Sequence, residues 1–326
     1  MKFGVIGIGN HAQKRVMPAI FNTKNEIEAV YSRSIEKAIK VSREYHSKPF
    51  DNLDLFLDQD FEAVYIASPN FLHYAQAKKA LLKNKHVLLE KPMTLKNEEA
   101  LDLVNIARDK KLSLAVGFHL RFNPAVEKVK NLLPELGNIT YIYGCWSSYS
   151  SGRTIDPDRT WWSEEDKVGG GPVMGTGVHV IDTINNVLSK YPDSVFAMRN
   201  PSKVIIETTE YITLRYSNTL ATVLASRNIV NPDNSLIIYG TDGTLIARDF
   251  FNTEVSGSLI FNKNKKEEQK IEKVNMYEAE IVDFINLIKG KHAKIAKGID
   301  GYQVVKIVNA AYESDLENKS ISMKND

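Results

Sequence analysis

At 326 residues, with 43% hydrophobic and 25% charged side chains, the chain has the composition of a globular protein of about two domains. A net charge of +2 argues against nucleic acid or an anionic membrane as partner, and Cys145, the single cysteine, excludes an internal disulfide and a thiolate zinc site. No signal peptide precedes the first apolar run and no run reaches transmembrane length, so a soluble, cytoplasmic protein is expected.

The first 120 or so residues alternate apolar runs with amphipathic stretches. Strands are expected at Phe3–Ile8, Ile27–Ser32, Ala63–Ser68, His86–Glu90 and Leu112–Phe118, with helices at Ala12–Phe21, Ile35–His46, Leu72–Lys83 and Glu98–Lys110. Such alternation predicts a doubly wound parallel sheet. Between the first strand and the first helix lies Gly7-Ile8-Gly9-Asn10-His11-Ala12, a G-x-G-x-x-A turn. In that context Gly7 permits the tight turn, Gly9 lets phosphates approach the backbone, and Ala12 allows close packing of the helix. The turn, with Asn10 and His11, is the expected site for a dinucleotide pyrophosphate at a helix N-terminus.

An NAD site carries an acidic residue at the end of the second strand, about 20 residues after the glycines. Here that end reads Tyr31-Ser32-Arg33-Ser34, with Ser32 and Arg33 suited to a 2′-phosphate, so NADP is expected rather than NAD. Two later strands end on Ser68-Pro69-Asn70, with His73 a turn on, and on Glu90-Lys91-Pro92. Strand ends of an open parallel sheet face the ligand crevice, where a lysine beside a nicotinamide ring donates to a substrate oxygen.

From about residue 137 the pattern changes. The runs Ile139–Tyr149, Tyr211–Tyr216, Ala221–Ile229 and Ser235–Tyr239 are rich in β-branched and aromatic residues, and turn signals separate them, as in an antiparallel sheet. Ile142, Tyr143 and Trp146 are expected to form an exposed apolar face of that sheet, and hence a homodimer or homotetramer interface. The lysine-rich stretch Asn262–Lys273 reads as a solvated hairpin or loop. Gly169-Gly170-Gly171-Pro172 leads into a helix through Leu188 on which Gly175, His179, Asp182 and Asn186 share one face. A histidine there serves as general base, metal ligand or satisfied polar residue, and with only Asp182 at useful spacing a metal is not expected.

Taken in order, the glycine turn, Ser-Pro-Asn, Glu-Lys-Pro, Gly117-Phe118 with Arg121-Phe122-Asn123-Pro124, the triple glycine before Gly177-Val178-His179, and Gly240-Thr241-Asp242-Gly243-Thr244 resemble the glucose-fructose oxidoreductase/inositol dehydrogenase/rhizopine-catabolism (Gfo/Idh/MocA) family. The resemblance implies a Rossmann domain (1–122) and a C-terminal α/β domain with an open, mostly antiparallel sheet (123–326). It also implies a nicotinamide cofactor, a sugar-like substrate, Lys91 as catalytic lysine and His179 as acid/base. Asn70, His73 and Glu90 match positions the family uses around the nicotinamide. Many sugar-oxidising members carry an aspartate where this chain has Gly175. Asp156, Asp158, Glu164, Glu165 or Tyr149 are candidate replacements, and Trp161 or Trp162 candidates to stack on a sugar ring. Two other functions remain open within the fold: glycoside cleavage with a retained cofactor, and a non-catalytic dinucleotide sensor.

Overall fold

The computed structural model describes residues 1–150 and 164–323. They form two units, residues 1–118 with 277–302, and residues 119–276 with 303 onward.

In the first unit, β1 (Lys2–Ile6), β2 (Glu26–Tyr31), β3 (Lys48–Phe50), β4 (Ala63–Ile66), β5 (His86–Leu89) and β6 (Leu114–Val116) lie parallel in the order β6-β5-β4-β1-β2-β3. A two-residue strand, Ala296–Lys297, pairs antiparallel with β6. Strand order reverses between β1 and β4, which makes their carboxyl ends the switch point where such sheets bind ligands. Phe3, Val5, Ile6, Val64, Ile66, Val87 and Leu89 are all fully buried, as expected of a sheet covered on both faces. The expected strands and helices are present, most of them shorter by one to three residues. Among the elements not anticipated are β3, a three-residue edge strand that tolerates Pro49, the short helix Leu53–Leu57 capped by Asn52, and the two-residue strand Ala296–Lys297. The helix after the glycine turn begins as a π-helical turn, Ala12–Val16, and becomes α-helical over Met17–Asn22, where Pro18 has no N–H to give.

The second unit is built on β7 (Ile139–Cys145), β8 (Ser194–Asn200), β9 (Thr209–Tyr216), β10 (Thr219–Ser226), β11 (Leu236–Gly240), β12 (Thr244–Arg248), β13 (Ser258–Asn262) and β14 (Lys266–Gln269). Their order is β14-β13-β12-β11-β7-β10-β9-β8, extended beyond β8 by Ile321–Ser322. Only β7 and β10 run parallel; every other pairing is antiparallel. β13 and β14 form the hairpin expected of the lysine-rich stretch.

Period-2 alternation sorts this sheet into two faces. Ile142, Ile212, Leu214, Ala221 and Val223 are fully buried on the face that the helix Val178–Leu188 covers. Tyr211, Met198 and Tyr239 stand exposed on the other, where Tyr141 stacks on Tyr239 with centroids 6.0 Å apart. The expectation that Ile142 is exposed beside Tyr143 is therefore corrected. Adjacent strand residues point to opposite faces, and Ile142 belongs to the core. Among the described residues no helix is long and apolar enough to cross a membrane.

Candidate active site

In the first unit, the site begins where β1 ends. Gly7 has φ +84°, and a Cβ there would lie 2.4 Å from the backbone of Ala67 and Ser68, just beyond β4. Any other residue would be strained and would push the two strand ends apart. A Cβ on Gly9 would meet nothing within 4 Å, so the turn leaves room for a group to approach its backbone. Asn10 is exposed, and Ala12 is fully buried at the helix start. Gln13 N–H closes the first turn onto Gly9 O at 3.0 Å, and the Gln13 side chain donates to Ile8 O at 2.7 Å. These features fit a dinucleotide: an open-faced glycine turn that presents amides at a helix start.

At the end of β2, Arg33 is exposed, and no hydrogen bond or ion pair engages it among the described residues. Ser34 is already committed: its Oγ caps the following helix at Lys37 N (3.2 Å) and donates to Glu36 (2.7 Å). Ser32 Oγ accepts from Ser34 N at 3.2 Å.

Glu90 links the glycine turn to the end of β5. Its Oε1 accepts from His11 Nε2 at 3.2 Å and from Tyr65 Oη at 2.9 Å, and its Oε2 accepts from Lys91 N at 3.3 Å. Burial works to raise the carboxyl's pKa, but the charge and hydrogen bond of His11, the charge of Lys91 and the Tyr65 hydroxyl outweigh it and hold the value at about 2. His73 is 1% exposed and spans the two strand ends, with Nδ1 2.8 Å from Pro92 O and Nε2 2.8 Å from Ser68 O. Burial lowers its pKa in spite of these two carbonyls. Its ring is thus spent on backbone, and it supports Ser68, Asn70 and Lys91 by fixing the segments that carry them. Ser68 Oγ in turn donates to Gln76 at 2.6 Å.

In the second unit, His179 is the second residue of the helix Val178–Leu188 and is 3% exposed. Two rings enclose it, His119 edge-on and Trp146 tilted, each with its centroid 5.0 Å away. Trp146 stacks on Phe251 at 6.0 Å, and His119 Nε2 donates to Asn252 O at 3.2 Å. Asp182, one turn beyond His179, receives a bidentate bond from Arg121, with Nη2 at 2.6 Å and Nε at 2.9 Å. The helix is therefore buried nearly all round, and Asp182 on its polar stripe is paired inside the unit.

Gly175 sits in a π-helical turn, Val173–Gly177, and a Cβ on it would meet nothing within 4 Å. Tyr149 is 49% exposed, in an isolated bridge with Asn228. Glu164 and Glu165 are exposed, the former ion-paired with Lys167. Trp161, Trp162, Asp156 and Asp158 lie outside the described residues. Sequence reasoning passed over His119, although it stands directly after Gly117-Phe118, just beyond β6, where the strand-end rule would have found it.

Comparison with known proteins agrees with this architecture. Residues 1–118 match the oxidoreductase family with an NAD-binding Rossmann fold, and residues 126–246 match the GFO/IDH/MocA C-terminal domain. An uncharacterized oxidoreductase of Synechocystis is 31% identical over 281 residues, 79% of this chain and 74% of that one. The 1,5-anhydro-D-fructose reductase of Ensifer adhaerens is 27% identical over 92% of each chain. The crystal structure of an aldose-aldose oxidoreductase from Caulobacter crescentus shares the fold, with a TM-score of 0.88 at 18% identity over 99% of both chains.

The carboxyl of Glu90, held at about 2 in the fold against 4.5 ordinarily, contributes stability that is complete above the ordinary value and lost as pH falls toward 2. The whole contribution is roughly 3 kcal/mol, of which about 2 kcal/mol is gone by about pH 3. Chemical denaturation of wild type and Glu90→Gln should show the wild-type advantage shrinking by that amount between about pH 6 and pH 3. A constant difference would mean that Glu90 titrates normally.

Proposed function

Because the chain belongs to the Gfo/Idh/MocA family of oxidoreductases, we propose that it is an NADP(H)-dependent enzyme that interconverts an alcohol and a carbonyl on a sugar-like substrate. The observation that supports this reading is the open-faced glycine turn of the first unit with Lys91 just beyond the end of β5; the second unit, taken by itself, supplies a buried, ring-enclosed histidine, His179. The bound nicotinamide takes or gives the hydride. In oxidation, His179 removes the hydroxyl proton while the Lys91 ammonium stabilises the developing alkoxide; in reduction, the same groups return the proton. Glu90 keeps a negative charge beside Lys91. The preference for NADP rests on Arg33, exposed and uncommitted at the end of β2 where an NAD site carries a carboxylate. With Ser34 occupied as a helix cap, Arg33 and Ser32 are the groups left to meet a 2′-phosphate. The aromatic wall of Trp146 and His119 suits the C–H face of a sugar ring.

The first test is turnover of 1,5-anhydro-D-fructose, the substrate in the name of a relative matching 92% of this chain, with NADPH and with NADH. NADPH should be consumed in net amount, which separates this reading from redox-neutral glycoside cleavage and from a sensor. Arg33→Ala should weaken NADP⁺ with little change for NAD⁺. Lys91→Ala and His179→Ala should retain cofactor binding and lose about 10²–10⁴-fold in kcat. Equal or tighter NAD⁺ binding by wild type, or normal turnover by either alanine variant, overturns the corresponding assignment.

A carboxylate at position 175 should favour the imidazolium form of His179. The open space at Gly175 admits the side chain of Gly175→Asp, one turn before the histidine. Oxidation needs the neutral ring, so the acidic limb of kcat against pH should move up by roughly half a unit or more, an interaction of about 0.7 kcal/mol. An unmoved limb in a folded, cofactor-binding variant means that position 175 does not face His179 or that His179 is not the base.

Assembly as a homodimer or homotetramer completes the reading, through the sheet face that bears Tyr211, Met198 and Tyr239. Light scattering at micromolar concentration should give a multiple of the chain mass; the mass of a single chain counts against it.

A further inference from the structure

The loop that precedes the His179 helix is anchored from an unexpected quarter. Glu207, which stands two residues before β9, is fully buried, and its carboxylate accepts from Gly171 N at 2.7 Å and from Val173 N at 3.1 Å. Tyr312 Oη lies 3.5 Å from the same carboxylate. The loop is pressed onto these residues. A Cβ on Gly171 would come within 2.0 Å of Glu207 O, and one on Gly170 within 1.7 Å of Tyr312 Oη. Close approach to Glu207 therefore accounts for Gly171, and close approach to Tyr312 for Gly170.

From that anchor the connection to His179 is short. Val173 gives its N–H to Glu207 and its carbonyl to Val178 N, closing the π-helical turn Val173–Gly177. Val178 begins the α-helix, and His179 follows it. Thr176 within the turn donates to Trp146 O at 2.9 Å, so the turn also meets the strand end whose indole touches His179. A π-helical turn is a wide and uncommon register that persists where surrounding contacts hold it.

We propose that Glu207 is a positioning residue for His179, fixing through the amides of Gly171 and Val173 the turn from which the histidine projects. Its surroundings keep the carboxylate for that purpose. The Arg199 guanidinium is engaged by Asp315 at 3.1 Å and by Val204 O at 2.7 Å. Burial, and then the charge of Glu207, push the Glu210 carboxyl well above the usual carboxylate range. Arg227 attracts Glu207 electrostatically. The two backbone N–H groups that meet the Glu207 carboxylate, those of Gly171 and Val173, lie at the start of a helical segment, where the helix dipole also favours negative charge.

The inference rests on His179 being the acid/base of the proposed reaction, and its test has one readout that does not depend on turnover. In protein labelled with ¹⁵N at histidine, the His179 ring resonances are assigned by their loss in His179→Asn. They should move in Glu207→Gln at constant pH, because the amide group retains one acceptor but turns N–H against the second backbone donor. NADP⁺ affinity should stay within about twofold. Reduction of 1,5-anhydro-D-fructose by NADPH should lose roughly ten- to a hundredfold in kcat, the scale for a misplaced catalytic group, with KM within about threefold. Unshifted His179 resonances in the folded variant, whatever its melting temperature, overturn the proposal and leave Glu207 a structural cap. Should Glu207→Gln not fold, Glu207→Asp keeps the charge and shortens its reach, and the same resonances decide. If wild type does not reduce the sugar, the reading of substrate fails while the resonances still judge Glu207.

Discussion

A carboxylate withdrawn from water calls for donors, and at three places in this chain meeting that requirement fixes segments that carry or adjoin candidate site residues. Glu90 is met by His11, Tyr65 and Lys91 N, and so binds the glycine turn to the end of β5. Asp182 is met by Arg121, which ties the His179 helix to the turn that bears His119. Glu207 is met by Gly171 N and Val173 N and holds the start of the π-helical turn. Glu207 takes up backbone donors at a helical start, whereas Glu90 and Asp182 are met mainly by side chains, and each contact fixes a segment close in the chain to Lys91 or His179.

Such arrangements are poor sources of net stability. The desolvation of a buried ion pair largely cancels its attraction, whereas removal of one partner leaves an uncompensated charge at a cost of about 3–5 kcal/mol. What they supply is uniqueness of geometry. A loop packed only by apolar contacts has several positions of similar energy. One whose amides must meet a buried anion has a single position, and leaving it exposes the charge to an empty interior. For groups that must stand within hydrogen-bond reach of a reacting atom, that narrowing matters more than a further kcal/mol of stability.

The sequence carried the first unit well because its signals are local. β1, β4 and β5 are unbroken apolar runs between amphipathic helices, and the glycine turn is informative by its place between strand and helix. β3 escaped because three residues with a central proline carry no period. In the second unit, alternation marked β9 and β10, but for β7 the assignment of faces failed: Ile142 and Tyr143 were read as one surface although the strand period separates them. The ring cage of His179 was only half visible, since His119 and Trp146 are brought to it by turns far apart in the chain. Glu207 was not legible at all. An acid beside two threonines ahead of a strand reads as solvated surface, and only the fold reveals that the triple glycine lies against it.

The two units build their sites from different materials, and this bears on what each one determines. Around the glycine turn the contacts are main-chain: Gly7 against the backbone of Ala67 and Ser68, His73 between two carbonyls, open space over Gly9. A site made of amides and turn geometry tolerates little change, but it makes the same demand of any dinucleotide, so discrimination there has to come from side chains at its edge. Around His179 the contacts are side-chain: an imidazole, an indole and a phenyl ring, each on a separate turn or strand end. Those positions can be exchanged singly without disturbing the sheet, whereas the anchors Arg121, Asp182 and Glu207 cannot. Substitutions that reshape the surroundings of His179 should therefore concentrate at rings such as Trp146, His119 and Phe251 and at the open position Gly175, while the buried acids that hold its helix and the turn before it stay fixed.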